Sequence, residues 1–348
     1  MTPKPGRRRQ YATILDVAER AGVSRAAVSK VIGNAYGVSD AMRTKVETAM
    51  ADLDYRPSAT ARALRGRSST IGIEAPDAAN PFLAQILRGV MDTIEDSDYQ
   101  VVLAPAWRQG THRLRAIETL VDQRVDGILA VSPLTGPDRL RRIAERTPLV
   151  VLGDHDLADG YDTVTTDDAR GADLVMAHLR GLGHRRIAHI TIDGLSSGEN
   201  RTAPHAARLA QYEAQMREIG EPRRVFTVRD DADALGLARD VFSAPDAPTA
   251  IFAGHDSLAF HALQARTELG LGPSQMSIVG FDGVELAGHR AFSLTTVDQH
   301  GHEMGARAAA LLLERIDGRD EAEHVVTDPD LIERASSAAV IADQSAGA

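Results

Sequence analysis

The sequence predicts an all-α helix-turn-helix head followed by an α/β core of two doubly wound parallel-sheet lobes. Three observations predict it. Apolar residues recur at helical spacing on both sides of Gly22. From Thr70 onward, short apolar runs alternate with helical segments. Charge divides at the same boundary: residues 1–67 carry thirteen basic against six acidic side chains, net +7, and the remainder carries 26 against 43, net −17. A basic head on an acidic body suits a polyanion-binding module joined to a solvated sensor.

The chain of 348 residues has room for two or three domains. With 43% apolar and 25% charged residues its composition is globular, and no apolar run is long enough to span a bilayer. Arg7, Arg8 and Arg9 are not followed by an apolar stretch, so the expected location is the cytoplasm. The absence of cysteine excludes disulfides, thiol catalysis and thiolate metal sites.

In the head, Thr13 precedes Ile14, Val17, Ala18 and Ala21 at helical spacing, and Asp16 completes a capping box. Gly22 breaks the helix, Ser24 caps a second one with Val28, Val31 and Ile32 on its apolar face, and a third starts at Ser39 with Val46, Met50 and Leu53 inward. In such a motif the start of the second helix meets base edges in the major groove. Here that means Arg25, Ala26, Ser29 and Lys30: Arg and Lys can donate to guanine, and Ala can pack on a thymine methyl. A three-helix scaffold that binds protein is the alternative reading of these residues.

The run from Thr13 to Ile32, the segment Val38 to Val46, and Leu53-Asp54-Tyr55-Arg56-Pro57-Ser58-Ala59 resemble the head of the LacI/GalR family, without gaps to Leu64. The resemblance implies base contacts from Arg25, Ala26, Ser29 and Lys30 and backbone contacts from Ile14, Ser39 and Tyr55. Ser24, Ser58 and Ala61 belong to the same DNA-binding set. It also implies a hinge helix over Pro57–Leu64 that forms when two subunits pair on DNA. Leu64 would then wedge into the minor groove, unstacking a base step and bending the duplex. Ala59, Ala61 and Ala63 favour helix but bury little, which fits a conditional helix. Gly33 stands where many members carry Asn.

In the body, apolar runs at Thr70–Ile73, Val101–Leu103, Val125–Val131, Leu149–Leu152, Ile187–Ile192, Ala250–Ala253 and Ser277–Phe281 read as strands, with helices at Phe82–Ile94 and Leu114–Val121. The stretch is too long for one lobe. Two lobes with a ligand cleft at the strand carboxyl ends are expected. Asn80-Pro81-Phe82, the run Val125–Leu129, the run Leu182–Ile187, the run Val279–Asp282, the run Leu294–Val297 and the run Glu333–Ser337 look like landmarks of the same family. They imply a periplasmic-binding-protein-like core. The expected organisation is a head over 1–57, a hinge and linker over 58–68, a core over 69–342 and a tail over 343–348. Lobe one would be 69–165 plus 297–323, and lobe two 166–296 plus 324–342.

Matching family positions implies effector contacts from Phe82, Arg208, His255, Asp282 and Gln299, and Asp154, beside Gly153, joins the expected set. Asp282 can accept two hydroxyl hydrogen bonds and Arg208 can donate several, which suits a polyol or a carboxylate. The chain departs from the family in places. His255 stands for Asn, Gly153 for Asp with Asp154 and Asp156 beside it, Asp231 near an aromatic platform, and Gln211 for Gly, and segment 194–205 is longer. A sugar is the effector the family implies.

Gly194-Leu195-Ser196-Ser197-Gly198 matches the nucleophile-elbow pattern, but Glu199–Pro204 is a poor helix start, so Ser196 lacks the strand-to-helix turn that hydrolases need. No phosphate-binding loop is present, and the histidines lack ligand spacing. The expectation is therefore no enzyme, no cofactor and no metal. A transporter's solute-binding protein would have no use for residues 13–64. The expected partners are pseudo-palindromic double-stranded operator DNA, a small-molecule effector and a second copy of the chain, with no membrane. The tail lacks an apolar heptad, so no coiled-coil tetramer is expected.

Overall fold

The computed structural model describes residues 12–33, 35–55, 67–75, 79–106, 112–133, 135–155, 157–193 and 203–341. The expected contacts Ser58, Ala61 and Leu64, the hinge helix, Asp156 and the Ser196 loop lie outside them.

The chain divides into two compact units, residues 1–70 with 122–126, and the rest. The first holds helices α1 (Ile14–Ala21), α2 (Arg25–Ile32) and α3 (Asp40–Asp52). Each begins on a hydroxyl cap from Thr13, Ser24 or Ser39, which satisfies backbone donors that have no intrahelical partner. Thr13 and Asp16 form the full capping box, and α1 ends on Gly22 at φ 67°, a left-handed conformation that costs glycine little. Val17, Val28 and Val46 are the fully buried centre, with Met50 and Leu53 packed against them. Arg20 pairs with Asp52 at 2.7 Å, joining α1 to the end of α3.

The second unit carries two six-stranded sheets. In chain order the elements are β1 (Thr70–Ala75), α4 (Pro81–Ile94), β2 (Gln100–Pro105), α5 (His112–Asp122), β3 (Gly127–Val131), α6 (Pro137–Ala144), β4 (Leu149–Leu152), β5 (Asp162–Thr166) and α7 (Asp168–Gly181). Then come β6 (Ile187–Ile192), α8 (Pro204–Glu218), β7 (Val225–Val228), α9 (Ala234–Ser243), β8 (Ala250–Ala253), α10 (Asp256–Glu268) and β9 (Ser277–Asp282). The chain closes with β10 (Thr295–Asp298), α11 (Gly301–Ile316), β11 (His324–Thr327) and β12 (Asp330–Ile332).

Lobe one has strand order β11-β5-β4-β3-β1-β2 and lobe two β12-β10-β9-β8-β6-β7. The pairings β1–β3, β3–β4, β4–β5 and β5–β11 in lobe one and β6–β7, β6–β8, β8–β9 and β9–β10 in lobe two are parallel, whereas β12 runs antiparallel to β10. The inner strands β4, β6, β8 and β9 are buried along their whole length, and β3 along all but Val131, as strands covered by helices on both faces must be. In lobe two, α9 and α10 cover one face and α7 and α8 the other. In lobe one, α4 and α11 pack together on one face. They cross with backbones in contact: a Cβ on Gly89 would stand 1.9 Å from the His302 carbonyl oxygen, and one on Gly305 would stand 2.1 Å from that of Ile86.

The expected lobe boundaries need correction at the returning strands. Residues 324–327 were assigned to lobe two, but β11 pairs with β5 of lobe one. Val297 and Asp298 were assigned to lobe one, but they pair with Phe281 and Asp282 of lobe two. The chain passes between lobes at 166–168, 298–301 and 327–330, and β11 and β12, four and three residues long, are too short for the sequence to say which sheet each joins. The crossings are bonded to one another: Asp167 N donates to Thr327 O at 3.0 Å, and the Thr166 and Thr327 hydroxyls lie 3.2 Å apart.

Candidate nucleic-acid interface and effector cleft

In α2, Arg25, Ala26 and Lys30 are exposed and Ser29 is half-buried. Val28 and Val31 are buried on the opposite face. The 3.6-residue period puts positions 25, 26, 29 and 30 on one side, so packing the valines turns that side outward. The Ser24 hydroxyl accepts from Ala27 N at 3.1 Å and fixes where the helix starts. Ser39 is exposed, while Ile14 and Tyr55 pack partly against the head's core.

In the second unit, a cleft of about 110 Å³ is lined by residues that follow the carboxyl ends of strands in both sheets. Phe82 comes after β1, Ser132 after β3, Gly153 after β4, Asp168 after β5, His205 after β6, His255 after β8 and Gln299 after β10, while Asp282 ends β9. This is where doubly wound sheets bind ligands. Of the six expected effector contacts, Phe82, Arg208, His255, Asp282 and Gln299 line it. Asp154 is the exception: it is buried and is not among the lining residues, where its neighbour Gly153 stands at φ 68°.

Buried polar groups form a chain across the cleft floor. Gln299 Nε2 donates to Asp282 Oδ1 at 2.7 Å, and Arg208 Nη2 donates to Gln299 Oε1 at 3.3 Å. Arg208 Nη1 donates to Gly254 O at 2.6 Å and Nε to Asp168 Oδ1 at 2.7 Å. The guanidinium also lies 3.7 Å over the Phe281 ring. Burial alone would raise the Asp168 carboxyl, but the Arg208 charge and the hydrogen bond from His155 hold it below the ordinary carboxylate range.

Asp282 is pushed the other way. Burial, with the nearby carboxylate of Asp256, outweighs Arg208 and takes it up to about 7. Asp256, also buried, is pushed up to about 7 although it accepts hydrogen bonds from Thr296 Oγ1 and Val284 N. Asp282 sits at φ 125°, a conformation few non-glycine residues adopt and one that clusters at functional sites.

His255 caps α10: its Nδ1 accepts from Leu258 N at 3.4 Å, so its proton lies on Nε2, 3.4 Å from Asp231 Oδ1. The His205 and His255 rings meet edge to face at 5.6 Å, and His205 Nδ1 bonds the Thr191 hydroxyl at 3.0 Å. Asp168 and His205 were not expected. Asp168 stands two residues past the end of β5, the positional signal that could have found it, whereas His205 lies in the first turn of α8 and carries no such signal.

A wider, more open groove of about 920 Å³ lies between α4, the start of α11 and residues 285–289. Its charged groups are exposed and pair with one another or with the surface, as Arg88 does with Glu285 and His302 with Asp92. Convergent buried groups, rather than size, make the smaller cleft the candidate binding site. No cluster that could hold a metal ion occurs among the described residues.

A helix-turn-helix head with an outward second helix, followed by a two-lobed core with a polar inter-lobe cleft, defines a DNA-binding regulator with a ligand-sensing body. Comparison agrees along the chain. The model "Bacterial regulatory proteins, lacI family" matches residues 13–58, and "Periplasmic binding protein-like domain" matches 176–337. The ribose operon repressor of Escherichia coli (strain K12) is 34% identical over 340 residues, covering 94% of this chain and all of that protein. The HTH-type transcriptional regulator DegA of Bacillus subtilis (strain 168) is 32% identical, covering 93% of this chain and 98% of that protein. Among solved structures, the lac repressor dimer bound to operator and the anti-inducer ONPF aligns at TM-score 0.73 and 26% identity, covering 95% of this chain and 100% of that one. A LacI family regulator from Enterococcus faecium with bound ribose aligns at TM-score 0.68 and 26% identity, covering 78% of this chain and 100% of that one. The chain belongs to the LacI family of bacterial transcriptional regulators. It is a DNA-binding regulator and not an enzyme. No helix among the described residues is long and apolar enough to cross a membrane.

Proposed function

We propose that the protein is a repressor that binds a pseudo-palindromic operator as a homodimer in the cytoplasm, with operator affinity set by a monosaccharide of pentose size held between the lobes. One observation carries the effector reading. The polar chain Asp282–Gln299–Arg208–Asp168 lines the cleft together with the apolar side chains of Phe82, Leu83, Ile86 and Leu152. A sugar ring has matching sides, with hydroxyls at its edge and C–H groups on its face. The volume, about 110 Å³, lies below the roughly 300–1,000 Å³ typical of drug-sized ligands, so the occupant is small. The ribose operon repressor relative and the ribose-bound neighbour make D-ribose the leading candidate.

Operator recognition falls to Arg25, Ala26, Ser29 and Lys30, with Ile14, Ser24, Ser39 and Tyr55 on the backbone. Ser58, Ala61 and Leu64 complete the set from the segment outside the described residues. Calorimetry of the full chain against D-ribose, other pentoses, hexoses and purines tests the effector. Saturable binding of a pentose that changes affinity for a DNA palindrome selected from a random pool supports the reading. Binding of a purine instead overturns it.

A further inference from the structure

His155 lies in the loop between β4 and β5, on lobe one. Its Nε2 is 2.8 Å from Asp168 Oδ2. Asp168 opens α7, which packs in lobe two, and its side chain is 1% exposed against 30% for His155. The other oxygen of the same carboxylate accepts from Arg208 Nε at 2.7 Å. One buried carboxylate thus joins a side chain from the opposite lobe to the cation that lines the cleft. We propose that His155 is a positioning residue, a latch that holds lobe one on Asp168 and thereby presets Arg208 before any ligand enters.

Arg88 and Gln85 also reach between the lobes. Arg88 stands 3.8 Å from Glu285, with both side chains mostly exposed, and Gln85 Nε2 donates to Gly283 O at 2.9 Å. An exposed ion pair contributes little. Neither contact touches a partner of Arg208. The His155 contact differs on both counts: its acceptor is buried and ionised, which strengthens the hydrogen bond, and that acceptor leads directly to the binding cation. A ligand that pulls on Arg208 therefore acts on the carboxylate that the opposite lobe also holds. This extends the effector reading, but the test needs no ligand, so either can fail alone.

The chain contains no cysteine, so two introduced thiols take labels at those positions only. Arg142→Cys near the end of α6 in lobe one and Asp240→Cys on α9 in lobe two are both exposed positions. Labelled full-length chains diluted into excess unlabelled protein report spin-label distances within one chain. His155→Phe keeps a ring and removes the nitrogens, and His155→Gln restores a donor. The expected result is a ligand-free distance that shifts by more than about 2 Å or broadens with Phe and returns with Gln. An unchanged distribution with Phe overturns the proposal. So does a shift with both variants accompanied by equal loss of thermal stability, since that would make His155 a packing residue. Arg88→Ala should leave the distribution as it is.

Discussion

Asp168 Oδ1 and Arg208 Nε lie 2.7 Å apart, with side chains only 1% and 4% exposed. Neither charge can be removed alone without stranding the other in a medium that solvates it poorly. Arg208→Met should therefore cost about 3–5 kcal/mol in urea unfolding at neutral pH, as well as abolishing effector binding. Asp168 is held below its ordinary value of 3.8, so the wild type keeps this contribution above that value and loses it as pH falls through the lower folded value. A loss under about 1 kcal/mol would show that water reaches the site and screens the pair.

Asp282 has the opposite linkage. Its carboxyl is raised from 3.8 to about 7, so between those values the unfolded chain ionises while the folded chain stays protonated. Wild-type stability from this group falls as pH rises through that window and levels off above it. Asp282→Asn removes the titration, and Asn tolerates positive φ. The variant's thermal midpoint relative to wild type should climb steadily from pH 4 to pH 7. A constant difference across those pH values would mean that the carboxyl is ionised throughout. The same titration predicts that ligand affinity measured by calorimetry changes near pH 7 in the wild type and not in the variant.

Ser24→Ala removes the cap of the DNA-reading helix and should lower the head's stability by about 1 kcal/mol. Arg25→Ala leaves the fold unchanged, since Arg25 is exposed. It should weaken operator binding by roughly 1–3 kcal/mol and relax one operator position. An equal loss on every DNA sequence would reassign Arg25 to the phosphates.

Gly89→Ala and Gly305→Ala each place a methyl into the backbone of the facing helix. No side chain can move aside, so α4 and α11 must separate along the length that buries Ile86, Val90, Met304 and Ala308. Either change should cost more than about 3 kcal/mol, read as a lowered denaturation midpoint or loss of soluble protein. Gly181→Ala, where nothing stands within 4 Å of the added carbon, is the silent control.

The fold was legible where residues repeat with a period. The caps Thr13, Ser24 and Ser39 and the valines of the head fixed its three helices, and strands such as Ile187–Ile192 were visible as unbroken apolar runs. Strand β5 was not, because Asp162-Thr163-Val164-Thr165-Thr166 reads as polar although every residue is buried. Arg315 and Arg319 cover Asp162 from the far end of the chain, a partnership no local pattern reveals. The five positions matched to the family, Phe82, Arg208, His255, Asp282 and Gln299, all line the cleft, while Gly153 rather than Asp154 does so in the loop after β4. Asp168 was missed because a side chain past a strand end shows its role only once the opposite lobe stands beside it, and His205 because the first turn of α8 carries no such signal.

The three crossings between the lobes also constrain how the molecule is made. Lobe one begins at β1 yet needs α11 and β11, which leave the ribosome only after the strands of lobe two from β6 to β10. Lobe two needs β12, later still. Neither sheet is complete until residues 324–332 have been made, whereas the head can settle into its own small core long before. A growing chain would then carry a finished nucleic-acid-reading head well before the body that governs it exists. Any break in translation after the head would release an ungoverned module, with its partner lobes left as unpaired strands for proteases to clear.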